Sequence, residues 1–376
     1  MDLSKAFDTI NHDLLIAKLD AYGFSKDALK LMLSYMSDRL QRTKINKSFS
    51  SWSELLQGVP QGSILGTILF NIYLNDIFFF FNCEVCNFAD DTTPYVCDLS
   101  LEFVLSKLEE SSIIAVKWFE NNYMRMNPDK CHLLIAGNKY EQTFVKVGND
   151  LIWESSSVKL LGVTIDNQFK FEEHLAKICL KANTKLTALS RITKYLDFNK
   201  KRVLLKSFFE SQFKYCPLTW MFYSRKINNK INTLHERALR MIYNNYELSF
   251  EELLEKDGSF SIHHANLQTL SIELFKAQKN IAPSILDDLF ERNSNGYCLR
   301  SKSDFVIPHI RTVYKGENSV RYLGPVIWNI IPAEIKNSEN LEIFKNRIRN
   351  WKPLNCPCRI CKDYISGVGF VSVQRN

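Results

Sequence analysis

In the stretch Cys83 to Leu99, CEVCNFADDTTPYVCDL, two carboxylates stand side by side between two runs of strand-forming residues. Val85 and Phe88 give the first arm its apolar content, so the pattern predicts strand, turn, strand, with Asp90 and Asp91 at a hairpin tip. Adjacent like charges repel, and the tip costs stability unless a cation offsets it. Hard oxygen ligands of this kind suit Mg²⁺. An Asp-Asp pair in a turn is also commonplace, because aspartate is a favoured turn residue, and the stretch alone leaves both readings open.

A second carboxylate element narrows the choice. Asp2 precedes the short apolar and aromatic run Leu3 to Phe7, and at the end of a neighbouring strand it would complete a cage of three carboxylates with Asp90 and Asp91. Such a cage can hold two metal ions about 3.5–4 Å apart, one activating an attacking oxygen and the other stabilising a leaving group. Taken alone, Asp2 reads as a helix cap or a surface residue.

The remaining segments alternate helix and strand over the first part of the chain. Asn11 can cap a helix carrying Leu14, Leu15 and Leu19, with Gly23 placed to end it, and Ser25 can cap the next, whose stripe is Ala28, Leu29, Met32, Leu33 and Met36. QRTKINKSFSSWSEL reads as two short strands around a polar turn. In GVPQGSILGTILFNIYLNDI, Gly58, Pro60 and Gly62 make a loop that feeds a buried helix with Ile64, Leu65, Ile68, Leu69 and Ile72 at helical spacing. A further helix runs from about Leu101 to Asn122, and HLLIAG, FVKVG and VKLLGVTID read as strands. Beyond Phe171 the pattern is mostly helical to about Asn295, and the end of the chain is mixed.

Composition excludes several classes. With 376 residues, 45% apolar and 12% aromatic, the chain has material for a sizeable core and no long segment of disordered composition. The most apolar stretch, Ile77 to Phe81, is far too short to span a bilayer, so no membrane role is expected. The ten cysteines follow no regular framework and no secretory signal precedes them, which implies reduced thiols and an intracellular protein, nuclear or cytoplasmic. Charge is uneven: residues 170 to 250 hold 16 Lys and Arg against 6 Asp and Glu, a net +10 in a chain of +7, so the rest is −3. That asymmetry favours a polyanionic partner, the alternative being a solvated helical face.

Five motifs, DLSKAFDTINH, GVPQGSILG, FADDTT, NPDKCHLL and VKLLGVTID, stand in order. Together they resemble the reverse transcriptase of non-long-terminal-repeat (LINE-type) retrotransposons, especially jockey-like elements, strongly over residues 1 to about 170. RYLGPVIWNIIP and CPCRICKDYISGVGF look like the C-terminal part of such elements. The resemblance implies an RNA-directed DNA polymerase working on an RNA template, a DNA primer and deoxynucleoside triphosphates with two Mg²⁺ ions. It implies Asp2 and Asp90 as the main ligands, Asp91 in support, and the Leu3 carbonyl as a further ligand. Phe7 matches the aromatic residue that excludes a ribose 2′-hydroxyl, although it reads equally as a core residue. Gln61 and Gly62 match the loop along the incoming nucleotide, and Lys130 a lysine near the leaving pyrophosphate, where a solvated turn residue is the plainer reading. Thr67 departs from the proline often found after GSILG.

The implied fold is α+β: a polymerase palm over residues 1–170, an antiparallel sheet backed by helices, then a basic helical thumb-like region at 171–250. A mixed region at 251–350 and a cysteine-containing tail at 351–376 follow. In the thumb-like region Lys177, Lys181 and Lys185 recur along one helix face, with Lys200, Lys201 and Arg202 after them, a pattern for sequence-independent phosphate contacts. Cys356, Cys358 and Cys361 form C-x-C-x-x-C, three ligands for Zn²⁺ if a fourth ligand arrives; His132, His263, His264 and His309 are all remote in sequence and no second C-x-x-C follows, and the alternative is reduced thiols in a surface tail. Cys83 and Cys86 read as core residues of a strand.

The family carries fingers and an endonuclease ahead of these motifs. Met1 directly before Asp2 gives the expectation of a copy truncated within the palm and inactive as it stands. Two other readings are a nucleic-acid-binding relic without chemistry, and an adaptor using the C-terminal half.

Overall fold

Side-chain caps decide where the first helices begin. Asn11 Oδ1 accepts from the Leu14 N–H at 2.9 Å and starts α1 (His12–Ala21), which buries Leu15 and Leu19 and is followed by Gly23 at φ 85. Ser25 Oγ accepts from Ala28 N and starts α2 (Lys26–Met36), whose Met36 is fully buried. Leu33, expected on the packed stripe, is 43% exposed, because Leu29, Met32 and Met36 already define the inward face and Leu33 falls on its flank.

The computed structural model describes residues 1, 3–137, 142–293, 304–353 and 356–361. The chain divides into two units, Met1–Val158 and Lys159–Asn376. In the first, residues 40 to 54 make two nested ladders of two residues each, β1 (Leu40–Gln41) with β4 (Ser53–Glu54) and β2 (Lys44–Ile45) with β3 (Ser48–Phe49). The helix α3 (Ile64–Leu74) buries Gly66, Leu69, Phe70, Tyr73 and Leu74. Ile64 and Ile68, expected inside, are 87% and 49% exposed: the two large rings at 70 and 73 take the core and rotate the isoleucines outward. Lys18 of α1 is held between the Tyr73 and Trp118 rings and donates to Asp76 at 2.7 Å, with burial pulling its pKa down.

Next come β5 (Glu84–Phe88) and β6 (Asp91–Tyr95), paired antiparallel from Glu84↔Tyr95 to Phe88↔Asp91, and α4 (Leu101–Asn121), capped by Ser100 and burying Ala115, Trp118 and Phe119. The strands β7 (Phe144–Val147) and β8 (Asp150–Trp153) pack Val145, Val147 and Ile152 with Cys131 and Leu133 in a small satellite core. HLLIAG, expected as a strand, contributes a single parallel bridge, Leu133 to Glu154. Cys83 and Cys86 are not core residues: Cys83 is half-buried beside Ser111, and Cys86 is exposed because β5 has an open face.

The second unit starts with β9 (Ser157–Leu160), which straddles the division, and β10 (Val163–Asp166). Leu161 and Gly162 between them have φ 46 and 86, so VKLLGVTID is a tight hairpin rather than one strand. The Asp166 carboxylate accepts from the backbone of Gln168, Lys170 and Phe171 and leads into α5 (Glu172–Ile192). Then follow α6 (Phe198–Leu204), α7 (Pro217–Trp220), α8 (Arg225–Tyr243), α9 (Phe250–Asp257) and α10 (Ile262–Gln278). The helices α11 (Ile285–Leu289), α12 (Val313–Gly316), α13 (Val320–Ile330), α14 (Ala333–Lys336) and α15 (Leu341–Ile348) complete it. One core runs from Val163 to Cys361, through Phe209, Phe275, Trp328 and Phe344. The molecule is thus a mixture of helices and short antiparallel strands, and among the described residues the strands form five separate two-stranded ladders.

Candidate active site

The turn joining β5 to β6 has Ala89 and Asp90 at its centre, with Asp91 the first paired residue of β6. Ala89 sits at φ 51, a conformation in which a Cβ is unfavourable. Two contacts hold it there: its methyl packs on the first unit's core, and Asn87 Nδ2 donates to its carbonyl at 3.2 Å. Thr92, almost wholly buried, donates to Asn87 Oδ1 at 2.9 Å and locks the cross-strand pair.

The N-terminal residues lie against this hairpin. The Met1 amine donates to the Thr92 carbonyl at 2.8 Å and the Met1 carbonyl accepts from Thr92 N at 3.3 Å, while Leu3 bridges Met126 and Ser4 N donates to Arg125 O at 2.8 Å. Residues 1, 3 and 4 therefore join the hairpin on one side to the segment before NPDK on the other. Asp2 lies outside the described residues. Leu3 is buried, and its backbone pairs with Met126. Asp90 and Asp91 are half-exposed, and among the described residues no lysine or arginine pairs with either carboxylate. Adjacent carboxylates without a counter-charge among the described residues form a donor set that fits a hard divalent cation.

GVPQGSILG packs onto AFD. Gly58, at φ 85, donates its N–H to Ile10 O at 2.7 Å, and its carbonyl accepts from Arg39 at 2.9 Å and contacts His12 Nε2 at 2.8 Å. A Cβ on Gly58 would sit 2.8 Å from Asp8 Cα and 2.9 Å from the Phe7 carbonyl, so the glycine is demanded by space as well as by φ. Val59 N donates to Phe7 O, and Phe7 stacks on Phe70 at 4.4 Å between ring centroids. Gln61 is exposed and donates to Asp8 Oδ1 at 2.9 Å. Gly62, at φ 79, has open space around it, as a position approached by a ligand requires. Ser63 caps α3 through Gly66 N at 2.9 Å, and Gly66 lies so close to Pro60 O that no side chain fits. Lys5, Asp8, Arg39 and Gln61 share an open cleft of about 870 Å³. Asp8, His12, Arg39 and Gly66 were not singled out by sequence reasoning. Asp8 and His12 lie within the quoted DLSKAFDTINH, but Arg39 reaches Gly58 only through the fold.

Lys130 is exposed in the short 3-10 turn Pro128–Lys130. On α5, Lys181 is exposed and Lys185 half-buried, while Lys177 pairs with Glu173 at 2.6 Å. Lys200 pairs with Asp197 at 2.8 Å, and Lys201 is half-buried in the middle of α6. Arg202 is turned to the second unit's interior, its Nε 2.9 Å from the buried carboxylate of Asp257, which also accepts from Tyr243 Oη at 3.0 Å. Burial followed by the Asp257 hydrogen bond raises the Tyr243 phenol to about 12.

The three C-terminal cysteines are buried and meet the two histidines at the start of α10. Cys358 Sγ lies 3.4 Å from His263 Nε2, and Cys361 Sγ lies 3.9 Å from His264 Nε2. Cys356 is buried as well, two residues before Cys358. Of the four histidines weighed from sequence, the fold selects these two.

A reverse transcriptase (RNA-dependent DNA polymerase) family matches residues 1–165, the span holding the hairpin, the GVPQGS loop and the NPDK turn. Residues 1–165 form a reverse transcriptase domain. The chain is 25% identical over 254 residues to the RNA-directed DNA polymerase from mobile element jockey of Drosophila melanogaster, a match covering 64% of this chain and 28% of that one. A probable RNA-directed DNA polymerase from transposon BS of the same organism is 23% identical over 261 residues, with the same coverage. The type-1 retrotransposable element R2 polyprotein of Popillia japonica is 23% identical over 178 residues, covering 46% of this chain and 29% of that one. The chain thus spans under a third of the length of these relatives, and its reverse transcriptase domain is of the non-long-terminal-repeat retrotransposon kind. Among the described residues no helix is long and apolar enough to cross a membrane.

Proposed function

We propose that this chain supplies the palm and following helices of an RNA-directed DNA polymerase, extending a DNA primer with deoxynucleoside triphosphates along an RNA template. The reading rests on one observation: the Asp90–Asp91 turn is stitched through Met1 and Leu3 to the segment that precedes Lys130. In this reading Asp2, Asp90 and Asp91 hold two Mg²⁺ ions, with the Leu3 carbonyl as a further ligand. Bound Mg²⁺ supplies charge to activate the primer 3′-oxygen and to stabilise the pyrophosphate that departs from the α-phosphorus. The protein's own contribution is position. Gln61 and Gly62 lie along the incoming nucleotide, Phe7, braced by Phe70, closes the space a 2′-hydroxyl would need, and Lys130 neutralises or protonates the departing pyrophosphate. Residues 1–170 act as palm and 171–250 as a thumb-like duplex grip through Lys177, Lys181, Lys185, Lys200 and Lys201; Arg202 would join them only by leaving Asp257.

The test is primer extension on an RNA template by the purified 376-residue chain. Magnesium-dependent incorporation that Asp90→Asn abolishes supports the proposal. The exposed basic positions of the second unit favour one other reading, nucleic-acid binding without chemistry. Binding that falls steeply with salt, ignores Mg²⁺ and is accompanied by no incorporation establishes that reading instead.

A further inference from the structure

The cysteine and histidine cluster at the end of the second unit has no part in the polymerase proposal, and its geometry has a purpose of its own. His263 is in the first turn of α10, and Cys358 and Cys361 are 95 and 98 residues later in the chain. Their ligand atoms, Nε2 and the two Sγ, all lie within 4.8 Å of one another, and the three residues are buried. Tetrahedral zinc, with Zn–S about 2.3 Å and Zn–N about 2.0–2.1 Å, places sulfur and nitrogen about 3.5 Å apart and two sulfurs about 3.8 Å apart. The 3.4 Å between Cys358 and His263 lies at that edge length. Cys356, 1% exposed and two residues before Cys358, is the further buried thiol beside this trio in the sequence and the donor available for a fourth corner.

We infer that Cys356, Cys358, Cys361 and His263 form a closed, four-ligand structural zinc site that ties the C-terminal segment to α10. Four protein donors leave no open position for a reacting water, which makes the site structural rather than catalytic. Each thiol that binds as thiolate gives its proton to solvent, and three thiolates with one neutral imidazole on Zn²⁺ carry a net charge of −1. Cys361, His263 and His264 line an adjoining cavity of about 410 Å³ together with Arg349, Lys352, Glu251 and Glu255, and the cavity gives the ion a path in. The backbone is already aligned for closure: Gln268, further along α10, donates to the carbonyls of Arg349 at 3.2 Å and Trp351 at 3.1 Å. His264 reaches Cys361 at 3.9 Å and lies against the His263 ring, outside the ligand set.

The experiment is metal analysis of the full chain purified in reducing buffer, with cobalt substitution. The expected result is about one zinc per chain, and a cobalt form with the visible and charge-transfer bands of a tetrahedral thiolate site. Cys358→Ser and His263→Gln should each fall below about 0.1 zinc per chain, while His264→Gln and the exposed Cys97→Ser keep the ion. Wild-type protein without zinc after reconstitution, or with a disulfide among the three cysteines, overturns the inference. So does stoichiometric zinc in His263→Gln with an unchanged cobalt spectrum. The wild-type measurement decides the matter even if a variant fails to fold, and it is independent of polymerase activity.

Discussion

Two glycines with the same backbone angle differ in what they tolerate. Gly58 and Gly23 both have φ 85, but a Cβ on Gly58 meets the Asp8 and Phe7 backbone under 3 Å, whereas Gly23 has nothing within 4 Å. Gly58→Ala should cost about 2–4 kcal/mol, a left-handed penalty of ~1–2 plus overpacking, and Gly23→Ala about 1–2 from the backbone alone. Hydrogen exchange read by mass spectrometry on peptides covering α1 checks this, and equal losses at the two sites would contradict the packing argument. Local chemistry made much of this scale readable: the Asn11 and Ser25 caps, the turn at Asp90 and the Gly58 loop all follow from side chains bonding within a few residues. Arg39 on the Gly58 carbonyl and His263 on Cys358 were not readable. Each joins positions remote in sequence, and neither residue type declares its partner.

Between elements, the clearest tie is the one from α6 to the end of α9. Asp257 is 2% exposed at its side chain and its charge is met by Arg202, which keeps 34% of its side-chain surface in water. Arg202→Met should destabilise the second unit by about 2–4 kcal/mol, because an unpaired buried carboxylate remains, and adding Asp257→Leu should recover most of that. Lys200, paired at the surface with Asp197, should cost under about 1 kcal/mol when replaced by alanine. Urea denaturation of the three variants measures the difference. The charge pattern that marked Arg202 as a phosphate contact was sound as far as charge goes, but a helix period does not say which lysine or arginine meets an acid from another helix. Likewise α3 was found by its period while its inward face was misplaced: spacing identified a helix, and the volumes of Phe70 and Tyr73 decided how it rolled.

At the scale of the molecule, buried histidines make the second unit sensitive to acid. His235 packs between Phe209 and Phe250, and burial lowers its pKa from 6.5 to about 4, with Asp257 opposing the shift weakly. His174 shifts the same way, through burial first and then Lys177 and Lys181. A base depressed in the folded state stays neutral there while the unfolded chain takes up a proton. Stability is therefore full above pH 6.5 and declines as pH falls toward 4, by roughly 3 kcal/mol for His235 alone. Denaturant midpoints measured from pH 7.5 to 4 should show this decline, and His235→Phe should flatten it. The three hydrophobic clusters have a consequence for how such damage spreads. Among the described residues none has a member on both sides of the Val158–Lys159 division, so a lesion in a core on one side removes no side chain from a core on the other. On the proposed reading, a chain that has lost its carboxylate turn still presents intact basic helices, and across a population of copies the power to hold nucleic acid should outlast the power to copy it.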